Sequence, residues 1–588
     1  MTEPDFSRKL KYKQTSLSTR RSFLERHRSV SSIRKDERDR IFSLKRQCDL
    51  PVYATDSGRL DESQVKGEVL LLLRLLESHL EEQSDVILMK LRTIRFSIDN
   101  SEHMITCVLE SGLINLLRKC LCCSHPEIVS EAVCCIASIA AGSREQCSEI
   151  LEFAPFVMSR YKNDNEIVQK EAAIVLGNIS IVFPEVIIRL GAISEVFKVL
   201  QNFVDQTNEN EAKGSTLLRI SLWLLCNIFR SLNERSFEVD IDVSVGLLLC
   251  TLLQKILSRP FRVESSFFDG NSSHGAAVSI ANLSPKNEWR EIVGESLWCL
   301  TYLLPAGLRF IEKCRETGIM ISIVQLVAEV TTLSSPFPSN SVLGTHWTSP
   351  TNFDSCTPTT IASFATDTCI FYNASESLPS NADLLFPSLK ILNILCGDPE
   401  DTASAPYIIA SVAKPVFFEI LSHLVQHKHR GVIFESICLF NRLSERNART
   451  VEFVFPILPK LVDILKSAAN VDVKRQAALC FLTVITTGER VHMDKLLQIH
   501  PSVAEAMLTA LESCCRDKEL VHIALDFLEV ILEFAPSYRQ YLYENRAIEI
   551  MESAQFEHGT HIERRIAQLV EVYFDDVVDA PDNHNTLL

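Results

Sequence analysis

Two groups of side chains have the types and spacing to invite a metal ion. Cys120, Cys122, Cys123 and His125 stand close together, and His558 and His561 are separated by two residues. A structural zinc site needs two such ligand pairs held tetrahedrally. Neither group has a second pair, so the cysteines read as sulfur packed in a helix beside a loop histidine, and no metal is expected. Many of the other cysteines, among them Cys134-Cys135, Cys480 and Cys514-Cys515, sit inside apolar helical patterns. In a reducing compartment such thiols behave as small hydrophobes. The chain has no glycine-rich phosphate loop, no nucleophile elbow and no clustered His/Asp/Glu constellation. No enzyme and no cofactor are expected.

The remaining chemistry is electrostatic. Residues 1–46 hold fourteen Lys/Arg against six Asp/Glu, and the rest of the chain holds 45 against 69. A basic arm of this kind can dock on an acidic surface. Its positive residues come in clusters: Arg8-Lys9 to Lys13, Arg20-Arg21, Arg26, Arg34-Lys35 and Lys45-Arg46. Thr19 before Arg20 has the form of a helix cap, so the stretch to Lys45 is predicted as a basic helix with residues 8–13 as an extended lead-in.

The elements that would position any partner are helical. From about residue 66 amphipathic segments such as Val65–Leu80, Glu131–Ala141 and Lys170–Val182 follow one another, with no alternation of period two. Eighteen glycines in 588 residues argue against a turn-rich β architecture. The most apolar run, Val243–Leu253, is too short to span a bilayer and reads as a buried helix. With no secretory leader in view, cytosol or nucleus is the expected compartment.

A repeat is visible. Gly112 and Gly191 precede similar apolar stripes and lie 79 residues apart, and Gly318 heads a third copy. That interval is two units of about 40 residues, the armadillo/HEAT period. The fold predicted is therefore an all-α armadillo-repeat solenoid, a superhelix of about ten repeats, with a basic N-terminal helical arm. Its expected parts are an arm at 1–50, a solenoid at 66–575 with insertions near 258–287 and 334–383, and an acidic tail at 576–588.

With these residues in view, the chain resembles the importin-α (karyopherin-α) family. Arg8, Lys13, Arg20, Arg21, Arg26, Arg34, Lys35, Lys45 and Arg46 fall in the order of that family's importin-β-binding motif, with one residue inserted between Lys35 and Lys45. The inner helices of the family carry W-x-x-x-N, whose spacing puts an indole and an amide on one face, a turn apart. Trp223 with Asn227 is similar to it, as is Trp298 with Tyr302; Asn178 and Asn393 match the amide position in other repeats. The resemblance implies that these six residues bind cargo, the indoles flanking lysine stems and the amides holding the cargo backbone. It implies importin-β and a cargo protein or peptide as partners, an export factor for recycling, and residence in cytoplasm and nucleus, with neither nucleic acid nor membrane as a partner.

The departures from that family weigh against its usual cargo. Cys134, Ile174, Cys438 and Leu479 stand where it has tryptophan, and Ser138, Arg442 and Thr483 where it has asparagine. Val182 takes the place of an aspartate that meets the key cargo lysine, and Cys147 that of a nearby threonine. Losing a charge-assisted partner costs about 1.5–3 kcal/mol and losing an indole wall about 0.5–2 kcal/mol. Two functions are thus implied: a nuclear-import adaptor, or a specialised scaffold whose remodelled groove does not read ordinary basic signals.

Overall fold

Apolar residues recurring one helical turn apart build each major element. In the helix Glu62–Glu77, Val65, Val69 and Leu72 are fully buried. In Leu113–Leu121 the buried set is Leu113, Leu116, Leu117, Cys120 and Leu121. One helix cannot bury such a stripe by itself, so helices stack. The computed structural model describes residues 62–77, 84–99, 102–162, 165–205, 215–235, 241–258, 261–262, 277–278, 287–332, 381–397, 412–444, 448–468, 470–499, 502–558 and 560–578. These form two compact units that divide between Ser322 and Ile323.

Both units repeat one motif: a short first helix, a second helix, and a long third helix. The third helices are α1 (Ser84–Asp99), α2 (Pro126–Ala140), α3 (Glu166–Val182), α4 (Ser215–Arg235) and α5 (Glu288–Leu303) in the first unit. In the second they are α6 (Ala382–Leu395), α7 (Arg430–Ser444), α8 (Val471–Thr487), α9 (Lys518–Phe534) and α10 (Thr560–Val578). Within each unit every third helix packs on the next, and second helices back them, as Leu113–Leu121 does for α2 and Leu458–Ser467 for α8. Ten third helices among the described residues agree with the repeat count that the period predicts.

Sequence marks the start of several third helices. Asn165 before α3, Asn287 before α5, Asn470 before α8 and Asp517 before α9 each accept a hydrogen bond from a first-turn backbone N–H. That satisfies a donor the helix leaves orphaned, and it sets the register in which the inner face is presented.

The turn between first and second helices needs left-handed backbone. Gly112, Gly191 and Gly318, the glycines that reveal the repeat, adopt it with φ of 90°, 85° and 73°. In the last repeat the same turn, between Tyr538–Glu544 and Ala547–His558, places Arg546 at φ 60°.

The insertions interrupt one kind of connection. The stretch near 258–287 lies between the second helix Val243–Leu257 and α5; within it Phe261–Arg262 pairs with Ala277–Val278 as a two-residue antiparallel ladder, a local exception to the all-helical expectation. The 334–383 stretch lies between Ile319–Thr332 and α6, which begins at Ala382, so its last two residues are helical. Val243–Leu253 is a buried helix, as its composition predicts. The third helix α10 runs to Val578, past the predicted end of the solenoid. The N-terminal arm at 1–50, residues 333–380 and residues 579–588 lie outside the described residues.

A side chain in left-handed backbone is strained, whereas glycine there is not, although glycine gains more freedom on unfolding. Arg546→Gly should therefore stabilise the second unit by about 1 kcal/mol. A urea denaturation midpoint that falls in this variant would contradict the strain argument.

Candidate functional site

The third helices of the first unit approach closely enough for side chains of one to reach the backbone of another. Asn178 on α3 is 4% exposed and its Nδ2 donates to the carbonyl of Ala137 on α2 at 3.1 Å. Asn227 on α4 is 0% exposed and its Nδ2 donates to the carbonyl of Gly177 on α3 at 3.4 Å. Ser231 repeats the contact one turn on, to the carbonyl of Ser180 at 3.1 Å. From α5 the carbonyl of Tyr302 accepts from Asn233 at 2.5 Å.

Trp223 lies over Gly177, in a space that any added methyl group would fill. Its indole is 8% exposed. Three polar atoms in this cluster are buried and without a partner among the described residues: Trp223 Nε1, Asn178 Oδ1 and Asn227 Oδ1. Trp298 is half-buried and stacks on Tyr302 with ring centroids 5.6 Å apart. Cys134, Ile174 and Trp298, the residues at the indole positions of α2, α3 and α5, share partial exposure.

Charges on the same helices are largely answered from within. Arg95 on α1 meets Glu131 on α2 at 2.5 Å, and Arg92 meets its other oxygen at 3.4 Å. Arg219 on α4 lies 3.1 Å from Glu291 and 3.9 Å from Glu288 on α5. Glu171 on α3 differs: the Ser130 hydroxyl donates to it, at 2.5 Å. Burial pushes its carboxyl above the usual range; Glu131 adds to this, while the Ser130 bond, Arg95 and Arg160 oppose it.

The second unit fastens its inner face with amides and ion pairs, and there too Asn393 Oδ1 and Asn441 Oδ1 are buried without a partner among the described residues. Asn393 on α6 donates to both the carbonyl and the carboxylate of Glu435 on α7, at 2.8 and 2.9 Å. Asn441 on α7 donates to the carbonyl of Gln476 on α8 at 3.1 Å. Arg475 on α8 pairs with Asp517 and, at 3.4 Å, with Glu519, both at the head of α9. Arg565 on α10 pairs with Asp526 and Glu529 on α9 at 2.5 and 2.9 Å. The indole positions are taken by buried Leu479 and half-buried Cys438.

The structure thus brings Asn178, Trp223 and Asn227 together around Gly177, places Trp298 with Tyr302 on α5, and puts Asn393 in the second unit against Glu435. Arg8, Lys13, Arg20, Arg21, Arg26, Arg34, Lys35, Lys45 and Arg46 lie outside the described residues. The sequence reading missed Asn441, adjacent to the Arg442 it singled out, and missed the interhelical ion pairs. Their signal was present: Arg95–Glu131, Asn441–Gln476, Arg475–Asp517 and Arg565–Asp526 join residues 35 to 42 apart, about one repeat. It also missed Arg144, whose Nη1 donates to the carbonyl of Val182 at 3.3 Å and whose guanidinium sits 4.6 Å from the Phe183 ring centroid. Cys147 is fully buried. Among the described residues no three His, Cys, Asp or Glu side chains are grouped to hold a metal ion.

Comparison with known proteins agrees with this architecture. Residues 101–141, which span the repeat ending in α2, match the family model of the armadillo/β-catenin-like repeat. No curated protein matches the chain. Among solved structures an engineered protein aligns over 87% of this chain and 98% of its own, with a TM-score of 0.56 and 15% identity. Two designed armadillo repeat proteins, one solved in complex with a (KR)4 peptide, each cover 46% of the chain with a TM-score of 0.33, at 21% and 19% identity. The fold is an all-α armadillo-repeat solenoid.

Because burial raises the Glu171 carboxyl above its unfolded value, its contribution to stability is present in full below the ordinary carboxylate range and is lost as pH rises through the native value. Glu171→Gln keeps a partner for Ser130 without the charge. It should raise the thermal midpoint at pH 7, and the gain should shrink towards pH 4. A gain equal at both pH values would show that the charge is not the cause.

Proposed function

We propose that this chain is an armadillo-repeat protein-binding scaffold that works as a nuclear-import adaptor. The inner face of its first unit takes an extended segment of a partner, and its basic arm binds importin-β. The observation that carries the reading is the cluster on α3 and α4, where two amides and an indole leave a buried donor and two buried acceptors unanswered around Gly177. An extended segment offers an N–H and a C=O at every residue, the groups such a cluster lacks. Half-buried Trp298 on α5, stacked on buried Tyr302, adds aromatic surface on the next third helix. The arm supports the other half: its ordered basic clusters resemble an importin-β-binding helix and would meet an acidic partner by charge-assisted contacts. Shuttling between cytoplasm and nucleus, with recycling by an export factor, belongs to the same proposal. An armadillo solenoid of this kind acts by binding, and no enzymatic role is proposed.

A second reading, a scaffold dedicated to one partner, is favoured by Arg144. Its guanidinium reaches the carbonyl of Val182, next to where the resemblance would place an aspartate for a cargo lysine. A cation already bound there repels another.

Pull-down of the full chain against importin-β, beside the chain lacking residues 1–50, tests the arm. Capture by the full chain alone is expected, and no capture by either would sink the adaptor reading. A fluorescent lysine/arginine octapeptide tests the face: weak binding to the full chain is expected, with at least a tenfold gain in the double variant Arg144→Ser, Val182→Asp. No gain would remove the support for the second reading.

A further inference from the structure

We propose that Trp223 is a movable cover: a partner segment enters the amide cluster of α3 and α4 by displacing the indole from Gly177. The proposal rests on reading this face as a binding surface, and it adds how that surface opens.

Three observations converge on it. The first is Gly177 itself. It sits within α3, where glycine weakens a helix relative to alanine, yet its backbone is helical and needs no left-handed freedom. What its missing side chain provides is room, since even a methyl group would overlap the six-membered ring of Trp223. The second is the state of the indole. Trp223 is 8% exposed, with its Nε1 buried and without a partner among the described residues, although buried tryptophan nitrogens usually find an acceptor. The third is what lies beside it. Asn227, one turn along α4 on the same face, donates to the carbonyl of the glycine that the indole rests on. Both Asn227 and its neighbour across the helix pair, Asn178, keep an Oδ1 that is buried and unpaired.

An unpaired Oδ1 recurs at Asn393 and Asn441 in the second unit, so what sets this cluster apart is the unpaired Trp223 Nε1 lying over Gly177. The closed arrangement buries apolar ring surface while leaving one donor and two acceptors unanswered. A backbone segment entering the cluster reverses both terms: it exposes the ring to a partner side chain and answers the three polar atoms with peptide N–H and C=O groups. A cover requires the two arrangements to lie close in free energy, and these opposing terms work in that direction. Trp298 differs: it is half-buried and stacks on Tyr302 of its own helix.

The test uses the full chain labelled with 5-fluorotryptophan, in which fluorine NMR separates the four tryptophans and Trp223→Phe assigns the signal of interest. Adding the lysine/arginine octapeptide to the unmutated chain should move the Trp223 signal and raise its solvent-isotope shift; this measurement needs no variant. Gly177→Ala should produce an exposed Trp223 signal without peptide and tighten peptide binding at least fivefold. A Trp223 signal that stays shielded in Gly177→Ala overturns the proposal, as does an exposed signal with unchanged or weaker binding. If the octapeptide binds neither protein, the reading of this face as a binding surface falls, and the cover falls with it; an exposed signal in Gly177→Ala would then mark only a displaced core side chain.

Discussion

The inner face of each unit depends on one contact: a side chain on a third helix reaching the backbone or charge of the third helix one repeat away. A third helix carries an apolar stripe that it cannot bury by itself, and stacking buries it only if neighbours approach closely. Close approach then threatens the polar residues on the same helices with desolvation. Asn178 to Ala137, Asn227 to Gly177 and Asn441 to Gln476 answer the donor half of that problem by donating to a carbonyl of the neighbouring helix. The spacing of the array thus satisfies the amide donors, while the Oδ1 atoms of these three asparagines stay buried without a partner among the described residues.

These bonds run in both directions in each unit. In the first, Asn178 and Asn227 reach back to the preceding helix, and Asn233 on α4 reaches forward to Tyr302. In the second, Asn393 and Asn441 reach forward to the following helix, and Arg442 on α7 reaches back to the carbonyl of Asn393. The second unit adds a carboxylate to Asn393, bidentate pairing of Arg475 with Asp517, and an Arg565 nitrogen shared between Asp526 and Glu529. At its indole positions stand Cys438 and Leu479, neither of them aromatic.

Periodicity carried most of the fold in the sequence. Gly112, Gly191 and Gly318 could be read as a repeat because the left-handed turn they make tolerates few other residues, and the asparagine caps before α3, α5 and α8 are local chemistry. Arg546 escaped notice for the converse reason: it occupies the same turn without the residue type that announces it. The candidate site was legible only in part. Spacing of four placed Trp223 and Asn227 on one face, but whether an indole stands up or lies down is decided by the residue opposite, Gly177, which is 46 positions away in sequence. No local pattern encodes that pairing. The interhelical ion pairs were hidden for a related reason, since a lone arginine looks solvated until its partner one repeat later is known.

Charge then separates what the chain offers a partner from what it keeps for itself. The 69 acidic residues beyond position 46 suggest a uniformly attractive surface for cations, yet Glu131, Glu288, Glu291, Glu435, Asp517, Asp526 and Glu529 are all engaged by arginine or asparagine of neighbouring third helices. A carboxylate so engaged gives little to an incoming lysine, because binding one cation means releasing or crowding another. Net charge governs encounter at long range, where screening is the limit. At contact distance the first unit's inner face sets half-buried Trp298 and the guanidinium of Arg144 beside carboxylates already held by arginine, while the Asn178 and Asn227 oxygens stay buried. Under the proposed binding role, selectivity at this face would therefore come from hydrogen bonding and shape rather than from the acidity of the chain.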